Sequence, residues 1–232
     1  MPEPVDPTPI DPAPIDPGPS AWDFGALDLP EDDMIAAGGD LEPATILDAY
    51  RHGLFPMPHG DLWWWSPLER GVLGPGDLAV SRSLRRSARR FTTRIDTRFR
   101  DVVAACADPA RPHGWISRDI AQAYGRLHDL GWAHSVEVFD EDDVLVGGLY
   151  GLAIGSLFAG ESMFHHATDA SKVALLALVE FLDGHDEPWL IDTQWVTDHL
   201  ASLGVRPMPR DDYRAAIGPH IGRSARRCPE NH

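Results

Sequence analysis

Two short apolar segments carry polar side chains that could do chemistry. In LIDTQ, residues 190–194, Asp192 and Gln194 interrupt a run of residues typical of a buried β-strand. In LFAGESMF, residues 157–164, Glu161 interrupts a second such run. Side chains alternate across a strand, so we expect Asp192 and Gln194 to share one face of a sheet. Because a carboxylate buried without partners is costly, each acid must face water, join a structural network or serve a reaction.

Motifs that the chain lacks limit the chemistry open to these groups. No G-x-x-x-x-G-K-[ST] loop and no G-x-G-x-x-G after a strand supports a nucleotide cofactor. H-E-x-x-H, Cys/His metal spacing and the G-x-S-x-G elbow do not occur, and adjacent His165 and His166 are poorly placed to share a metal. We therefore expect no metal and no cofactor. A single buried acid is more often structural, but two in separate segments are candidates for a functional site.

Composition is typical of a cytoplasmic protein with a sizeable core. The 232 residues are 43% hydrophobic and 24% charged, and no apolar run approaches the roughly 20 residues of a membrane span. The N-terminal sequence has neither the basic nor the apolar region of a signal peptide. Only two cysteines occur, Cys106 and Cys228, which excludes a disulfide framework and a thiolate metal cluster.

Charge is distributed unevenly along the chain. The net charge of −16 argues against a nucleic-acid partner, yet residues 82–100, RSLRRSARRFTTRIDTRFR, hold eight of the 19 arginines and one acid, Asp96. Salt screens charge effects beyond about 8–10 Å, so this basic segment could bind phosphates although the whole molecule is acidic. The alternative is a helix face that is merely solvated.

Patterning predicts an α+β protein in four parts. Residues 1–21 form a tail rich in Pro and Asp that should be disordered or polyproline-like. Residues 22–68 form a small N-terminal domain with a helix at 42–52, followed by GLFPMPHGDLWWWSP, which is too rich in Pro, Gly and Trp for a regular element. Residues 69–220 form the main domain, and residues 221–232 are a second tail.

The main domain alternates strands and helices. A meander of three antiparallel strands joined by an acidic turn should occupy residues 133–164, followed by helix, strand and helix, which suits a mixed sheet with packed helices. The predicted helices are 83–90, 98–107, 118–130, 170–182 and 196–203, and the strand after the meander is 189–194.

A series of motifs, in order, resembles the leucyl/phenylalanyl-tRNA–protein transferase family. The resemblance covers nearly all of residues 22–215, and GESMF together with LIDTQ and HLASLG is highly specific in combination. The motifs are GLFPM, WWWSP, RSLRR, GWI, AHSVEV, LVGGLYG, GSLFAGESMF, ASKVALLALV, LIDTQ, HLASLG and PRDDY.

This resemblance implies a fold and an activity. The fold is a small N-terminal domain followed by a GNAT-like, acetyltransferase-type domain, and the protein is expected to be a monomer. The activity is transfer of Leu, Phe or less often Met from aminoacyl-tRNA to the N-terminal Arg or Lys of a protein, which creates a degradation signal. Since the tRNA ester is already activated, no ATP or metal would be required.

The resemblance also implies roles for the polar residues. Asp192 and Gln194 match the catalytic pair of the family, in which Asp192 would polarise and orient Gln194. The carbonyl oxygen of Gln194 would help draw a proton from the attacking α-amine, whose pKa is near 8. Glu161 matches a carboxylate near the aminoacyl ester, with a binding or electrostatic role.

Further residues match the substrate-binding parts of the family. Leu149 and Leu178 stand where Met and Phe are expected, which leaves the Leu/Phe/Met ranking open, and ordinary sheet core is the alternative for some of the pocket residues. One of Trp63–Trp65 should stack on the terminal adenosine of tRNA, with Trp64 and Trp65 the candidates. The pocket residues are Trp115, Leu149, Phe158, Met163 and Leu178, and the arginines expected to contact the acceptor stem are Arg82, Arg85, Arg86, Arg89 and Arg90.

Two alternative functions make different demands on the sequence. An acyl-CoA-dependent N-acetyltransferase would need a pyrophosphate-binding glycine loop, and MFHHATDASKVALL, residues 163–176, has none. A catalytically silent module that binds charged tRNA or a degradation signal would need neither Asp192 nor Gln194, and the intact pair argues against it.

Overall fold

The computed structural model describes residues 13–111, 114–185 and 187–222. Its strands are β1 (Met34–Ala37), β2 (Phe55–His59), β3 (Asp61–Trp65), β4 (Glu69–Leu73), β5 (Thr92–Ile95), β6 (Ala133–Phe139), β7 (Leu145–Ile154), β8 (Leu157–His165), β9 (Leu190–Gln194) and β10 (Arg206–Pro209). Its helices are α1 (Pro43–Arg51), α2 (Arg82–Ala88), α3 (Phe99–Cys106), α4 (Arg118–Asp129), α5 (Ala170–Asp183), α6 (Asp198–Ala201) and α7 (Arg210–Ile221).

The strands form two sheets. A small antiparallel sheet has the order β1-β3-β2, and a larger sheet has the order β10-β4-β9-β8-β7-β6-β5. In the larger sheet β8 and β9 run parallel, and every other neighbouring pair is antiparallel. This arrangement confirms the prediction of a mixed sheet with packed helices, including the meander β6-β7-β8.

Helices cover both faces of the larger sheet, so both faces carry apolar side chains. On one face, residues of α1, α3 and α4 pack with Tyr150, Leu152 and Ala159. On the other face, α5 packs on Leu149, Phe158 and other residues that alternate with the first set. This two-sided packing buries nearly all of β7 and the first three residues of β8, whereas β8 is partly exposed from Gly160 to Met163.

The segment with the tryptophans is a β-hairpin, and the prediction that it lacks a regular element is wrong. β2 pairs with β3 from Phe55 opposite Trp65 to His59 opposite Asp61, around a turn at Gly60. Proline cannot donate a ladder hydrogen bond, but β2 is an outer strand, where prolines are tolerated. The prediction from the Pro, Gly and Trp content failed because β2 pairs on one side only, so its prolines need not donate ladder hydrogen bonds.

Other elements differ in extent from the predictions. The expected helix at 196–203 is only four residues long, because Thr197 caps its start and Gly204 has a φ of 102°. The helix expected at 83–90 begins at Arg82, and Ser81 accepts a hydrogen bond from the Leu84 N–H as its N-cap. The strands β1, β4, β5 and β10 and helix α7 were not predicted.

Parts of both predicted tails lie outside the described residues, as does Cys228. Residues 13–20 have no regular secondary structure, but Ile15 is tied to the folded body. Its N–H donates to the Leu130 carbonyl at 2.9 Å, and its carbonyl accepts from Trp132 Nε1 at 2.8 Å. Within the described part of the chain, no helix is both long and apolar enough to cross a membrane.

Candidate active site

A cavity of about 210 Å³ lies where the parallel strands β8 and β9 stop pairing. The two strands pair only from Leu157–Ala159 opposite Leu190–Asp192. Its apolar wall is formed by Leu149, Phe158, Met163, Leu175, Leu178, Ile191 and Leu200, and its polar groups are on Glu161, Ser162, Thr193, Gln194, Thr197 and His199. An apolar pocket with a few convergent polar groups is the usual form of a small-molecule site.

A β-bulge in β8 places Glu161 at this cavity. Ser162 pairs with Tyr150 and Gly160 pairs with Gly151, which leaves Glu161 as the extra residue. The approach of the strands here is close: a Cβ at Gly151 would lie 2.3 Å from the carbonyl oxygen of Ala159. Glycine is therefore needed opposite the bulge, and the bulge interrupts the regular pairing of β8 at Glu161.

The Glu161 carboxylate is held by tyrosines. Tyr124 donates its hydroxyl to Oε2 at 2.8 Å, Tyr50 donates to Oε1, and the two hydroxyls are 2.8 Å apart. Burial raises the pKa of Glu161 from 4.5 to about 7, although both tyrosine hydrogen bonds favour the charged form. The carboxyl group can therefore gain or lose a proton near neutral pH.

Asp192 is buried in a different network. Nε and Nη2 of Arg70 donate to its Oδ1 and Oδ2 at 2.8 and 2.6 Å, and the Tyr213 hydroxyl donates to Oδ2 at 2.8 Å. Arg70 also donates to the Gly53 carbonyl at 3.0 Å and lies over the rings of Phe55 and Tyr213. Burial opposes the charge of Arg70, but the Asp192 carboxylate holds its pKa above the ordinary value. Both side chains are sealed from solvent.

The backbone leaves the regular strand conformation at Gln194, the last residue of β9. Its φ is 59°, in the left-handed region, and its backbone N–H donates to Asp192 Oδ1 at 2.8 Å. Ile191 and Thr193 line the cavity, so strict alternation would turn Gln194 away from it together with Asp192. The left-handed backbone instead brings the Gln194 side chain to the cavity.

The prediction that Asp192 and Gln194 share one face is therefore wrong in detail. Asp192 contacts Gln194 through the backbone N–H and does not line the cavity, whereas Gln194 does. Gln194 is 7% exposed, and its Nε2 has no hydrogen-bond partner among the described residues. A buried amide without a partner is costly, which is typical of a group kept for a ligand.

The path of the chain at the end of β9 also depends on a glycine in β4. A Cβ at Gly71 would lie 2.7 Å from the Trp195 carbonyl oxygen and 2.6 Å from Thr193 Oγ1. The chain after Gln194 thus crosses directly over Gly71, and a larger residue would displace it. Gly71 and Asp192 together fix the path on which Gln194 is presented.

Most of the predicted pocket residues meet at the cavity. Leu149, Phe158, Met163 and Leu178 line it together with Glu161 and Gln194. Trp115 is half-buried against the core on the other face of the sheet and is not part of the cavity wall.

The tryptophans of β3 have separate environments. Trp64 is 2% exposed, packs on Phe24 with ring centroids 4.6 Å apart, and donates its Nε1 to the Gly38 carbonyl at 2.8 Å. This burial corrects the expectation that Trp64 contacts tRNA, because its ring has no free face. Trp65 is half-buried, lies edge-on to Trp195 at 5.9 Å, and donates its Nε1 to the Met57 carbonyl.

The predicted tRNA-contacting arginines form one exposed surface at α2. Leu84 is buried and anchors the helix, and Ser87 Oγ donates to Asp169 at the start of α5 at 2.8 Å. None of these arginines forms an ion pair with a residue that the structure describes. They are Arg82, Arg85, Arg86, Arg89 and Arg90, all exposed, and we call them the α2 arginines.

Several residues of the site were not found from the sequence. Tyr50 and Tyr124 lie on amphipathic helices, where a tyrosine predicts only core, and Tyr213 lies near the C-terminus. Arg70 sits in a strand that was not predicted, although an arginine directly before the short apolar run of ERGVL was a usable signal. Within the described residues, no group of three or more His, Cys, Asp or Glu could hold a metal ion.

Comparison with known proteins identifies the family. The leucyl/phenylalanyl-tRNA protein transferase family matches residues 72–218, and the N-terminal domain of that family matches residues 39–68. Proteins named leucyl/phenylalanyl-tRNA–protein transferase are similar to the chain over most of its length. That of Dechloromonas aromatica is 50% identical over 204 residues, 84% of this chain and 86% of its own length. That of Aromatoleum aromaticum is 52% identical, covering 83% and 85%.

The likeness to solved structures is weak. A conserved protein of unknown function from Staphylococcus epidermidis aligns over 76% of this chain and 68% of its own, with a TM-score of 0.45 and 12% sequence identity. Similarity at this level carries no argument about fold type, so the acetyltransferase-type expectation is not confirmed by it. The sequence matches decide the family: this chain belongs to the leucyl/phenylalanyl-tRNA–protein transferases.

Proposed function

We propose that this protein is an aminoacyltransferase that moves Leu, Phe and less often Met from aminoacyl-tRNA to proteins with an N-terminal Arg or Lys. The product carries a new N-terminal residue that marks it for degradation. Membership of the family, at about half identity over most of the chain, is the observation that carries this proposal. The cavity supports it, because an apolar pocket is joined to a carboxyl and an amide group.

The apolar wall suits the side chain of the transferred amino acid. A cavity of about 150 Å³ can hold benzene, so the 210 Å³ here has room for one branched or aromatic side chain. Leu149, Phe158, Met163 and Leu178 would contact that side chain. The flexible thioether of Met163 would help the pocket adapt to both Leu and Phe.

The polar rim suits the reacting groups. The ester carbonyl carbon of the aminoacyl-tRNA would lie beside Glu161 and Gln194, where the α-amine of the acceptor attacks it. Gln194 offers an unpartnered Nε2 donor as well as a carbonyl acceptor, and either can orient the reacting atoms. Asp192 would act on this chemistry by holding the backbone of Gln194.

The α2 arginines are proposed to contact the phosphates of the tRNA acceptor stem. Five exposed guanidinium groups within nine residues form a compact positive surface on an acidic protein. Trp65, which is half-buried, remains the proposed stacking contact for the terminal adenosine of tRNA. Each arginine removed should lower the slope of log binding constant against log salt by about one, and a slope that stays constant would exclude the contact.

We further propose that residues 69–220 form a GNAT-like catalytic domain and residues 22–68 a small N-terminal domain. The smaller sheet lies wholly in residues 34–65 and the larger sheet in residues 69–209, which supports a boundary between them. We place the protein in the cytoplasm as a monomer, since its proposed donor, aminoacyl-tRNA, is made there.

The direct test uses tRNA charged with labelled leucine and a peptide that begins with Arg. The native protein should move the label to the peptide, and Gln194→Ala should lose most of this transfer. Gln122→Ala is the matched control, because Gln122 is exposed on α4 and is not among the residues that line the cavity. Binding of charged tRNA without transfer to any acceptor would support the silent module, and transfer from acetyl-CoA would support the acetyltransferase.

A further inference from the structure

The proposed reaction needs a group that can accept a proton. The α-amino group of the acceptor has a pKa near 8, so at neutral pH it arrives mostly as an ammonium ion and cannot attack. Gln194 can hydrogen-bond this nitrogen, but its neutral amide does not titrate and cannot keep the proton. Asp192 is sealed from the cavity, with Arg70, Tyr213 and the Gln194 N–H on its two oxygens.

We propose that Glu161 takes the proton from the ammonium group of the acceptor, while Gln194 holds the nitrogen in place. This inference rests on the proposed function and adds to it the identity of the base. Among the residues that line the cavity, Glu161 is the acid, and it stands at the bulge in β8. Among the residues that the structure describes, its hydrogen-bond partners are the hydroxyls of Tyr50 and Tyr124, and none of these partners is a cation that would hold it in the charged form.

The proton affinity of Glu161 suits this step. Burial raises the pKa of its carboxyl group to about 7, close to that of the amine it would deprotonate. General-base catalysis is most efficient when the base titrates near the working pH. An ordinary glutamate would be ionised but would be too weak a base, since its pKa lies several units below that of an α-ammonium.

Proton transfer and bond formation follow one another in this reaction. The carboxylate of Glu161 takes one proton from the ammonium group, and the lone pair this leaves on nitrogen forms the bond to the ester carbonyl carbon. The carbon–oxygen bond to the ribose then breaks, and its electron pair stays on the ribose oxygen. A second proton passes from the nitrogen to that oxygen, which leaves as the free hydroxyl of tRNA. Glu161 releases its proton to water, so the products are an amide, tRNA and one proton.

Other charged groups near Glu161 also act on the pKa of its carboxyl group. Arg70 slightly favours the ionised carboxylate, and Asp192 disfavours it. His199 on α6 also lines the cavity and is the rival base, although burial, Lys172 and His165 lower its pKa below the ordinary value. The groups facing the carboxyl are Tyr50 from α1, Tyr124 from α4, Tyr150 from β7, Arg70 from β4 and Asp192 from β9.

The experiment measures single-turnover transfer of labelled leucine from tRNA to an Arg peptide below saturation, from pH 6.5 to 8.5. The native rate should rise as Glu161 ionises and fall as the acceptor loses its ammonium form. In Glu161→Gln the rate should drop about 100-fold near neutral pH and then rise with pH, because only acceptor that is already neutral reacts. The ratio of native to variant rate should therefore shrink about tenfold or more across this range.

Two further variants distinguish Glu161 from His199 as the base. Tyr124→Phe removes a hydrogen bond that lowers the pKa of Glu161, so the acidic limb of the rate profile should move to higher pH. His199→Asn should leave the pH of the acidic limb where it is in the native protein, whatever its effect on the rate, because His199 lines the cavity. The proposal is overturned if the Glu161→Gln defect is independent of pH, if Tyr124→Phe leaves the limb in place, or if His199→Asn removes it. Absence of transfer by the native protein at every pH would instead count against the proposed function.

Discussion

Asp192 and Glu161 are acids on neighbouring strands of one sheet, the first buried and the second half-buried, and each accepts hydrogen bonds from tyrosine. Asp192 also has a guanidinium group on its two oxygens, and it does not reach the cavity. Within the described residues, the hydrogen-bond partners of Glu161 are hydroxyl groups, and Glu161 lines the cavity. The presence or absence of Arg70 therefore separates an ion-paired carboxylate that shapes the backbone from a carboxyl group whose pKa is raised to about 7.

This difference shows that the type of residue does not decide its role. The carboxylate of Asp192 has a structural role, because it binds Arg70, Tyr213 and the backbone N–H of Gln194 and so holds the left-handed turn. Glu161 has no hydrogen bond to a cation among the described residues, and desolvation raises the pKa of its carboxyl group to about 7, near physiological pH.

The largest effect should come from removing the cation of the first network. Arg70→Met leaves the Asp192 charge buried without a partner, and the free energy of unfolding should fall by about 3–5 kcal/mol. Urea unfolding followed by circular dichroism measures this change. Arg100→Met is the matched control, because Arg100 pairs with Asp129 at the surface and should cost about 1 kcal/mol or less. Equal losses in both variants would contradict the assignment.

The next effect separates the backbone of Gln194 from its side chain. Gln194→Gly tolerates the φ of 59°, so the free energy of unfolding should stay within about 1 kcal/mol of the native value. Transfer of labelled leucine should still fall about 100-fold, because the amide that orients the reacting atoms is gone. Gln194→Ala should be less stable than the glycine variant and equally inactive. Retained transfer in either variant would show that the side chain is dispensable.

A third prediction concerns the dependence of stability on pH. The pKa of Glu161 is raised from 4.5 to about 7, so between these values the folded protein keeps a proton that the unfolded chain has lost. The free energy of unfolding should therefore fall by about 2–3 kcal/mol between pH 4.5 and 7 through this group alone. Glu161→Gln should match the native protein near pH 5 and exceed its stability above pH 7.

This prediction is checked by urea unfolding at several pH values. Glu141→Gln is the control, because Glu141 is exposed in the turn between β6 and β7 and should leave the pH dependence as it is. A Glu161→Gln variant whose stability runs parallel to that of the native protein would remove the contrast between the two acids.

The smallest effect should be on the choice of amino acid. Leu178→Phe narrows the cavity, so transfer of Phe should fall relative to transfer of Leu by about tenfold, the scale of one or two methylene groups in a pocket. Competition between the two charged tRNAs in one reaction measures the ratio and cancels any loss of folded protein. An unchanged ratio would mean that the transferred side chain does not contact Leu178.

Local patterns in the sequence predicted much of the site. Glu161, Asp192 and Gln194 stood out because polar residues interrupted apolar strands, and Ser117 marked the start of a helix that begins where predicted. Family resemblance supplied Leu149, Phe158, Met163 and Leu178, which the structure brings to one cavity. These signals depend on neighbours within a few residues or on motifs, so they can be found without the fold.

Other features depend on contacts between distant parts of the chain. Arg70 and Asp192 are separated by 122 positions, and nothing near Asp192 in sequence indicates that a cation will neutralise it. The sequence also gave no sign that Gln194 leaves the alternation of its strand, because the left-handed turn is stabilised by Asp192 and by the space above Gly71. The burial of Trp64 depends on Phe24, which only the fold places beside it.

The most direct test of the contrast between the two acids is a titration of side-chain carboxyl carbons by NMR. The protein would be labelled with ¹³C at the glutamate carboxyl groups, and the resonance of Glu161 would be assigned as the one missing in Glu161→Gln. Our account predicts that this resonance titrates near pH 7. Titration near 4.5, the ordinary value for glutamate, would show that Glu161 is already ionised and would contradict its role as the proton acceptor.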